Sequence, residues 1–218
     1  MAGQKITMSH GLNPVSGFVL CGGASRRMGR PKALLAIRGT TMIERQVRLL
    51  GTVARKVFVV GWPADLSKSK LTNIIRDLTF LPDKLEGRGP LGGIYTGLLQ
   101  SRSEYNLFLG CDMPFVDSGF LEFLCRRAFE SRADVTVPKS RARRLEPLCA
   151  VYRKRAAGAV RHSLANGENK VNRFFPRVRC EVVPWREIAL AGFAPTIFDN
   201  INTPEEYEAA KRVLNYEY

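Results

Sequence analysis

The sequence contains no stretch of about 18 uncharged apolar residues, the length that a membrane-crossing helix needs, and its first fourteen residues lack the apolar block of a secretory signal. Both absences predict a cytoplasmic protein with no membrane partner. Cysteine is sparse and scattered over Cys21, Cys111, Cys125, Cys149 and Cys180 without a Cys-x-x-Cys pair. That spacing argues against a disulfide framework or a structural zinc site and leaves five reduced thiols. Histidine occurs twice, and neither His10, in a polar leader, nor His162, on the surface of an expected helix, makes a convincing general base. Carboxylates are short as well: 20 Asp and Glu face 34 Lys and Arg, a net charge of +14. An excess of this size calls for an anionic partner, whether nucleic acid, a membrane surface or a phosphorylated small molecule. A compact basic helix, or aromatics interleaved with basic residues on a sheet, would favour nucleic acid, and neither is evident. The basic residues are instead spread from Arg26 to Arg212, with denser spots at 26–32, 139–144 and 153–161.

The 218 residues are 45% hydrophobic, enough to bury one substantial core. Residues 1–15 read as a flexible leader and 16–218 as one domain. From Ser16 onward, apolar runs rich in β-branched residues alternate with amphipathic segments of helix length, the pattern of a mostly parallel sheet covered by helices on both faces, a doubly wound α/β fold. Strands are expected at 17–21, 56–60, 74–81, 105–109, 135–138 and 148–153, and helices at 42–50, 92–101, 119–131, 154–166 and 204–214. The last helix carries a capping box, with Thr203 as N-cap, Pro204 at the first helical position and Glu206 three residues after the cap. The basic break at 141–146 and the irregular order after Asn166 suggest a substrate-side subdomain. Open α/β sheets bind ligands beyond the carboxyl ends of their strands, which directs attention to the loops after Cys21, Leu81 and Leu109.

The first of these loops reads LCGGASRRMGRPKALL over residues 20–35. Gly22 and Gly23 remove side chains where backbone must approach a ligand, and consecutive amides in such a turn form a nest for an anion. Ser25, Arg26, Arg27 and Lys32 add donors and positive charge. The loop is neither a Walker loop nor a GxGxxG fingerprint. At the third, Asp112 sits in a tight Cys-Asp-Met-Pro turn after a strand expected to be buried. There its carboxylate is either a turn former before Pro114 or a ligand holding Mg2+ against phosphate oxygens. Asp117 reads as an N-terminal helix residue.

At these residues the sequence resembles the nucleotidyltransferases that grip a nucleoside triphosphate with an LxGGxSxRMGxxK loop, and within them the molybdenum cofactor guanylyltransferases. The likeness spans about Phe18 to Lys211. Besides the loop it rests on Pro82-Asp83, on Gly89 to Gly93 (GPLGG), on Cys111 to Pro114 (CDMP), on Glu146 to Tyr152 (EPLCAVY) and on Asn200 to Glu205 (NINTPE). The resemblance implies a Rossmann-like fold and a Mg2+-dependent transfer of GMP from GTP to molybdenum-bearing molybdopterin. Recipient molybdoenzymes or their chaperones would be further partners. It also implies that backbone at Leu20, Cys21, Gly22 and Gly23 contacts the nucleotide, that Lys32 and Arg27 face its phosphates, that Asp112 binds the metal and that Asp83 contacts base or ribose.

This sequence departs from the family in having Gly29-Arg30-Pro31-Lys32 where many members place Gly and Asp before the lysine, and Gly61-Trp62-Pro63 where many supply an Asn. The Pro-Lys ending also occurs in cytidylyl relatives, so CTP is the alternative nucleotide. On the acceptor side the resemblance points to Glu146-Pro147-Leu148 and to the basic stretch 170–175, chiefly Lys170 and Arg173. Phe174 and Phe175 are either part of that surface or core. Asn200 and Asn202 either approach the active centre or stitch the loop before the last helix. Outside catalysis, a nucleotide-binding cofactor-delivery protein and a basic nucleic-acid binder are the other readings.

Overall fold

The computed structural model describes residues 15–21, 31–62, 78–83, 85 and 87–216. The leader expected over 1–15 lies almost wholly outside them, and the first strand, β1 (Val15–Leu20), starts one residue ahead of the expected domain boundary. All six residues of β1 are buried, as both faces of a central strand must be. The sheet continues with β4 (Lys56–Val60), β5 (Thr79–Leu81), β6 (Tyr105–Gly110), β7 (Val135–Pro138), β8 (Cys149–Arg153) and β9 (Cys180–Val183). A separate two-stranded ribbon pairs β2 (Ala36–Ile37) with β3 (Thr40–Thr41). The strand order is β5-β4-β1-β6-β8-β7-β9, with β8 antiparallel to both neighbours and every other pair parallel.

Helices cover both faces. Helices α1 (Met42–Gly51) and α3 (Ser118–Ser131) pack Ile43, Val47, Leu50, Phe120, Leu121 and Leu124 against Val19, Val57, Val59, Leu107 and Leu109 on one face. On the other, α2 (Gly89–Gln100) and α4 (Ala157–Ala165) pack Leu91, Ile94, Leu98, Val160 and Leu164 against Phe18, Phe58, Phe108 and Tyr152. Phe18 is stacked between Phe58 and Phe108 at centroid distances of 4.7 and 4.6 Å. Helix α2 can lie this low because Gly97 has no side chain: a Cβ there would stand 2.7 Å from the Phe108 ring. The arrangement is the doubly wound α/β fold expected from the alternating pattern.

Helix starts follow local chemistry. Thr41 caps α1 in a capping box with Glu44, and Asp117 caps α3 by accepting the Phe120 amide at 2.8 Å. The box expected at α6 (Pro204–Tyr216) is present: Thr203 N–H donates to Glu206, and Glu206 N–H donates to Thr203 Oγ1 at 3.2 Å.

Several expectations need correction. The strand expected over 74–81 is β5 alone among the described residues, since Leu78 is outside it and 74–77 are not described. Helix α2 begins at Gly89, not at Gly92, because Pro90 suits a first helical turn. The segment expected as one helix over 154–166 opens with a 3-10 turn, Lys154–Ala156. The irregular region after Asn166 is no separate subdomain. It holds a 3-10 run (Val171–Arg177), then β9, which adds to the main sheet beside β7, then α5 (Trp185–Leu190). Phe174 and Phe175 are buried in the α2/α4-side core, so of their two readings core packing holds. Among the described residues, no helix is long and apolar enough to cross a membrane.

Candidate active site

The carboxyl ends of the adjacent parallel strands β1 and β6 carry the loops that the sequence marked for chemistry. Beyond β6 the chain turns at once. Gly110 has no side chain there, and a Cβ would come within 3.0 Å of Asp112 Oδ1, so the glycine makes room for the carboxylate. The turn is held from two sides. From α1, Gln46 Nε2 donates to the Met113 carbonyl at 2.7 Å and Arg45 Nε to that of Pro114 at 2.9 Å. From the loop before α6, the Ile201 amide donates to the Asp112 carbonyl at 2.9 Å. Asp112 therefore sits on a backbone fixed by three hydrogen bonds.

Lys32 opens a short 3-10 turn (Lys32–Leu34) after Pro31. Its Nζ lies 3.2 Å from Asp112 Oδ2 and donates to Asn202 Oδ1 at 2.7 Å, so three residues separated by 80 and 170 positions converge on one point. A third, small apolar cluster makes this possible: Leu35, Ile37 and Met42 pack against Ile201, Tyr207, Ala210 and Leu214, which clamps the chain after Lys32 to α6. Tyr207 adds a hydrogen bond from its hydroxyl to the Ala36 carbonyl at 2.5 Å. Asn202 is steadied in turn by Glu206, the capping-box acid, which accepts its amide. The cap and the site thus share one carboxylate. Lys32 and Asp112 keep about a fifth of their side chains exposed, 20% and 21%. An ion pair this wet contributes roughly 0.2–1 kcal/mol, so an incoming anion and cation can replace it at small cost.

Among the described residues no three His, Cys, Asp or Glu side chains are grouped to hold a metal. Mg2+ takes one or two carboxylates and completes its shell with phosphate oxygens and water. Asp112 offers one hard carboxylate and Asn202 a neighbouring amide oxygen.

The other expected site residues divide. Gly22, Gly23 and Arg27 lie outside the described residues. The Leu20 carbonyl accepts the Cys111 amide at 3.1 Å, and the Cys21 amide donates to the Val60 carbonyl at 2.9 Å. Those two groups are thus taken up by the sheet, and the Leu20 side chain packs in the core beside Gly93. Asp83 lies past β5, at the same sheet edge as Asp112 but with β4 and β1 between, and its Oδ1 accepts the Leu85 amide at 3.1 Å. Gly93 serves packing first, since a Cβ would stand 3.0 Å from Leu20 Cδ2.

Beside Asp112, the loop between β7 and β8 separates two hollows. One, of about 670 Å³, is lined by Arg143, Arg144 and Lys170 above Leu145, Leu148 and Val171. Leu148 joins it to the Asp112 turn, because its carbonyl accepts the Gly110 amide at 2.8 Å. Arg173 is exposed and does not line this groove. The other hollow, of about 620 Å³, contains Glu146, Asp199, Asn200, Asn202 and Glu206, with Arg144 and Leu145 shared between the two. Burial pushes the Glu146 carboxyl above its usual range, with Asp199 adding to the effect, while a hydrogen bond from Ser140 and the charge of Arg144 oppose it. Asp199 is likewise raised, by burial and then by Glu206. Sequence reasoning did not connect Glu146 with Asp199, which are far apart in the chain.

Residues 17–181 match the family described as the MobA-like NTP transferase domain. The chain belongs to that family. It is accordingly a nucleotidyltransferase. A protein of Methanosarcina mazei named a probable molybdenum cofactor guanylyltransferase is 35% identical over 202 residues, covering 88% of each chain. A protein of the same name from Pelotomaculum thermopropionicum is 32% identical over 90% of this chain and 91% of its own. Among solved structures, molybdopterin-guanine dinucleotide biosynthesis protein A from Archaeoglobus fulgidus superposes with a TM-score of 0.76 at 25% identity, covering 92% of this chain and 98% of that one. The MobA-like family assignment rests on the core 17–181, yet the Lys32 contact with Asn202 lies partly beyond that stretch.

Proposed function

We propose that this chain transfers GMP from GTP to the terminal phosphate of molybdenum-bearing molybdopterin, releasing pyrophosphate and forming the guanine dinucleotide cofactor. The observation that carries the reading is the convergence of Lys32, Asp112 and Asn202 at the carboxyl ends of β1 and β6. The similarity to named guanylyltransferases over about nine-tenths of the chain supports GTP and molybdopterin as its substrates.

In this reaction an acceptor phosphate oxygen forms a bond to the α-phosphorus while the bond to the bridging oxygen of pyrophosphate breaks. The acceptor phosphate is ionised at pH 7, so no side chain need remove a proton, consistent with a site that lacks a histidine among its described residues. Lys32 exchanges its contact with Asp112 for the triphosphate and neutralises charge growing on the departing pyrophosphate. Asp112, freed of that contact, would hold Mg2+, with Asn202 as an adjacent polar group. Mg2+ supplies charge neutralisation and alignment at the phosphates. Asp83 and the start of α2 flank the nucleoside side. The acceptor lies in the groove of Arg143, Arg144 and Lys170, where three cations suit its phosphate and Leu145, Leu148 and Val171 suit its pterin rings. Holding both substrates in line accounts for much of the rate, since well-oriented reactants save roughly 7–11 kcal/mol of barrier.

The test is to incubate the purified protein with molybdenum-bearing molybdopterin, Mg2+ and either GTP or CTP, and to identify the product by mass. A guanine dinucleotide with equimolar pyrophosphate is expected. A cytosine dinucleotide would move the chain to the cytidylyl branch, and bound GTP without pyrophosphate would make it a delivery protein.

A further inference from the structure

Cys21 and Cys111 each stand one residue beyond the end of a strand, β1 and β6. The last registered pair between these strands is Leu20 with Gly110, and the ladder continues through the bond from the Cys111 amide to the Leu20 carbonyl. The next residues in register are the two cysteines. Neighbouring strands run about 4.8 Å apart, within the roughly 4.4–6.8 Å between Cα atoms that a disulfide spans. Both side chains point to the same face: Cys111 belongs to the core cluster with Val19 and Leu109, and Cys21 packs against it. A hydrogen bond joins the Cys21 and Cys111 thiols and keeps the two side chains close together. Cys21 is half-buried while Cys111, Cys125 and Cys149 are buried, and Cys180 packs in the core on the other face of the sheet. Cys21 begins the phosphate-binding segment, and Cys111 adjoins Asp112.

We propose that Cys21 and Cys111 form an oxidisable pair whose disulfide closes the nucleotide site. With hydrogen peroxide as oxidant, the Cys21 sulfur takes one peroxide oxygen to become a sulfenic acid, releasing water. The Cys111 sulfur then attacks it, the S–S bond forms and a second water leaves. In sum, two thiols and one peroxide give one disulfide and two waters. A disulfide needs a Cβ–S–S–Cβ dihedral near 90°, so forming it turns both residues and displaces the neighbouring Asp112 from its place beside Lys32. The hydrogen bond with Cys111, together with burial, holds the Cys21 thiol protonated, which makes the reaction slow and suits it to sustained oxidant exposure.

The closing of the site rests on the nucleotide-transfer reading above; the disulfide itself does not. The full-length reduced protein is treated with hydrogen peroxide and read in two ways, by peptide mapping without reductant and by binding of a fluorescent GTP analogue with Mg2+. A linked peptide pair containing Cys21 and Cys111 is expected, with the protein two hydrogens lighter, analogue affinity lower by about tenfold or more and full recovery on adding dithiothreitol. In Cys21→Ser and Cys111→Ser, each compared only with its own reduced form, no such link forms and peroxide leaves affinity unchanged. A link between other cysteines, a sulfinic acid at Cys21 without any link, or a Cys21–Cys111 link that leaves analogue affinity intact overturns the proposal. If the reduced protein binds the analogue but turns over no nucleotide, the functional reading fails while the disulfide test still stands.

Discussion

The point where Lys32, Asp112 and Asn202 meet and the groove of Arg143, Arg144 and Lys170 lie side by side, yet they are built in opposite ways. The first is assembled from backbone locks: three hydrogen bonds hold the Asp112 turn, a capping box holds Asn202 and an apolar cluster holds the chain after Lys32. The second is made of long exposed side chains on a loop tip and at the start of a 3-10 run. Arg143 even occupies the left-handed region, at φ 61°, where a turn rather than a regular element sets its direction. A position locked by its backbone suits the reacting centre, whereas exposed cations suit capture of a charged acceptor. The first should fail abruptly when altered and the second gradually.

The sharpest way to break that contrast is Asp112→Asn, which keeps shape and turn but removes the carboxylate charge proposed to hold Mg2+. Turnover with saturating nucleotide should fall about 1000-fold, the several kcal/mol that metal stabilisation of phosphoryl charge supplies, while the melting temperature stays near that of the parent. Near-parental turnover would take the metal away from this turn. Lys32→Ala should come next: loss of a charge-assisted bond of about 1.5–3 kcal/mol weakens GTP by roughly 10- to 100-fold. Guanosine, which has no phosphates, should bind as before, and equal losses for both would remove Lys32 from the triphosphate. In the groove, Arg143→Ala with Lys170→Ala should raise the acceptor KM about tenfold with little change in GTP affinity. That difference should shrink as salt is raised, since exposed charges are screened beyond about 10 Å at 0.1 M ionic strength. A double variant that instead loses GTP would erase the division between the two regions.

The smallest effect concerns the acidic hollow on the far side of the loop. The Glu146 carboxyl is raised above the ordinary value for a glutamate, about 4.5, so the folded chain holds a proton there more tightly than the unfolded chain does. Its contribution therefore favours folding below that value and is lost as pH rises through the folded pKa. Glu146→Gln, which removes the desolvated charge, should leave stability equal or slightly higher at pH 7. The difference should vanish in acid well below the unfolded value, where the carboxyl is protonated in both states, and denaturant titration at both pH values checks the sign.

Much of this frame was legible in the residues. Strands at 56–60 and 135–138 were bounded as observed because each is a short apolar run between polar ends, and the Thr203–Glu206 box is local chemistry that needs no tertiary partner. Strand β9 escaped notice since, of Cys180 to Val183, only Val183 is fully buried and no apolar run announces it. Its pairing is decided by the free edge of β7 rather than by its own composition. Likewise, Asp112 stood out by type and position, but its meeting with Asn202 through Lys32 depends on how Leu35 and Met42 dock on α6, which no local pattern encodes. The acceptor stretch was only half legible. Lys170 lines the groove, but the 3-10 winding of Val171–Arg177 buries Phe174 and carries Arg173 away from it.

The separation of 170 positions between Lys32 and Asn202 also has a meaning in time. A ribosome adding about 5–20 residues per second needs on the order of 10–30 s to travel that interval. During it, β1 can already pair with β4, and later with β6, burying the ring stack of Phe18, Phe58 and Phe108. Through all of that interval Lys32 has no Asn202 to meet and the turn at Asp112 lacks its anchor from Ile201. A nascent chain can therefore be largely folded while the Lys32–Asn202 contact is still unmade, and that contact forms only once α6 has been synthesised and has docked.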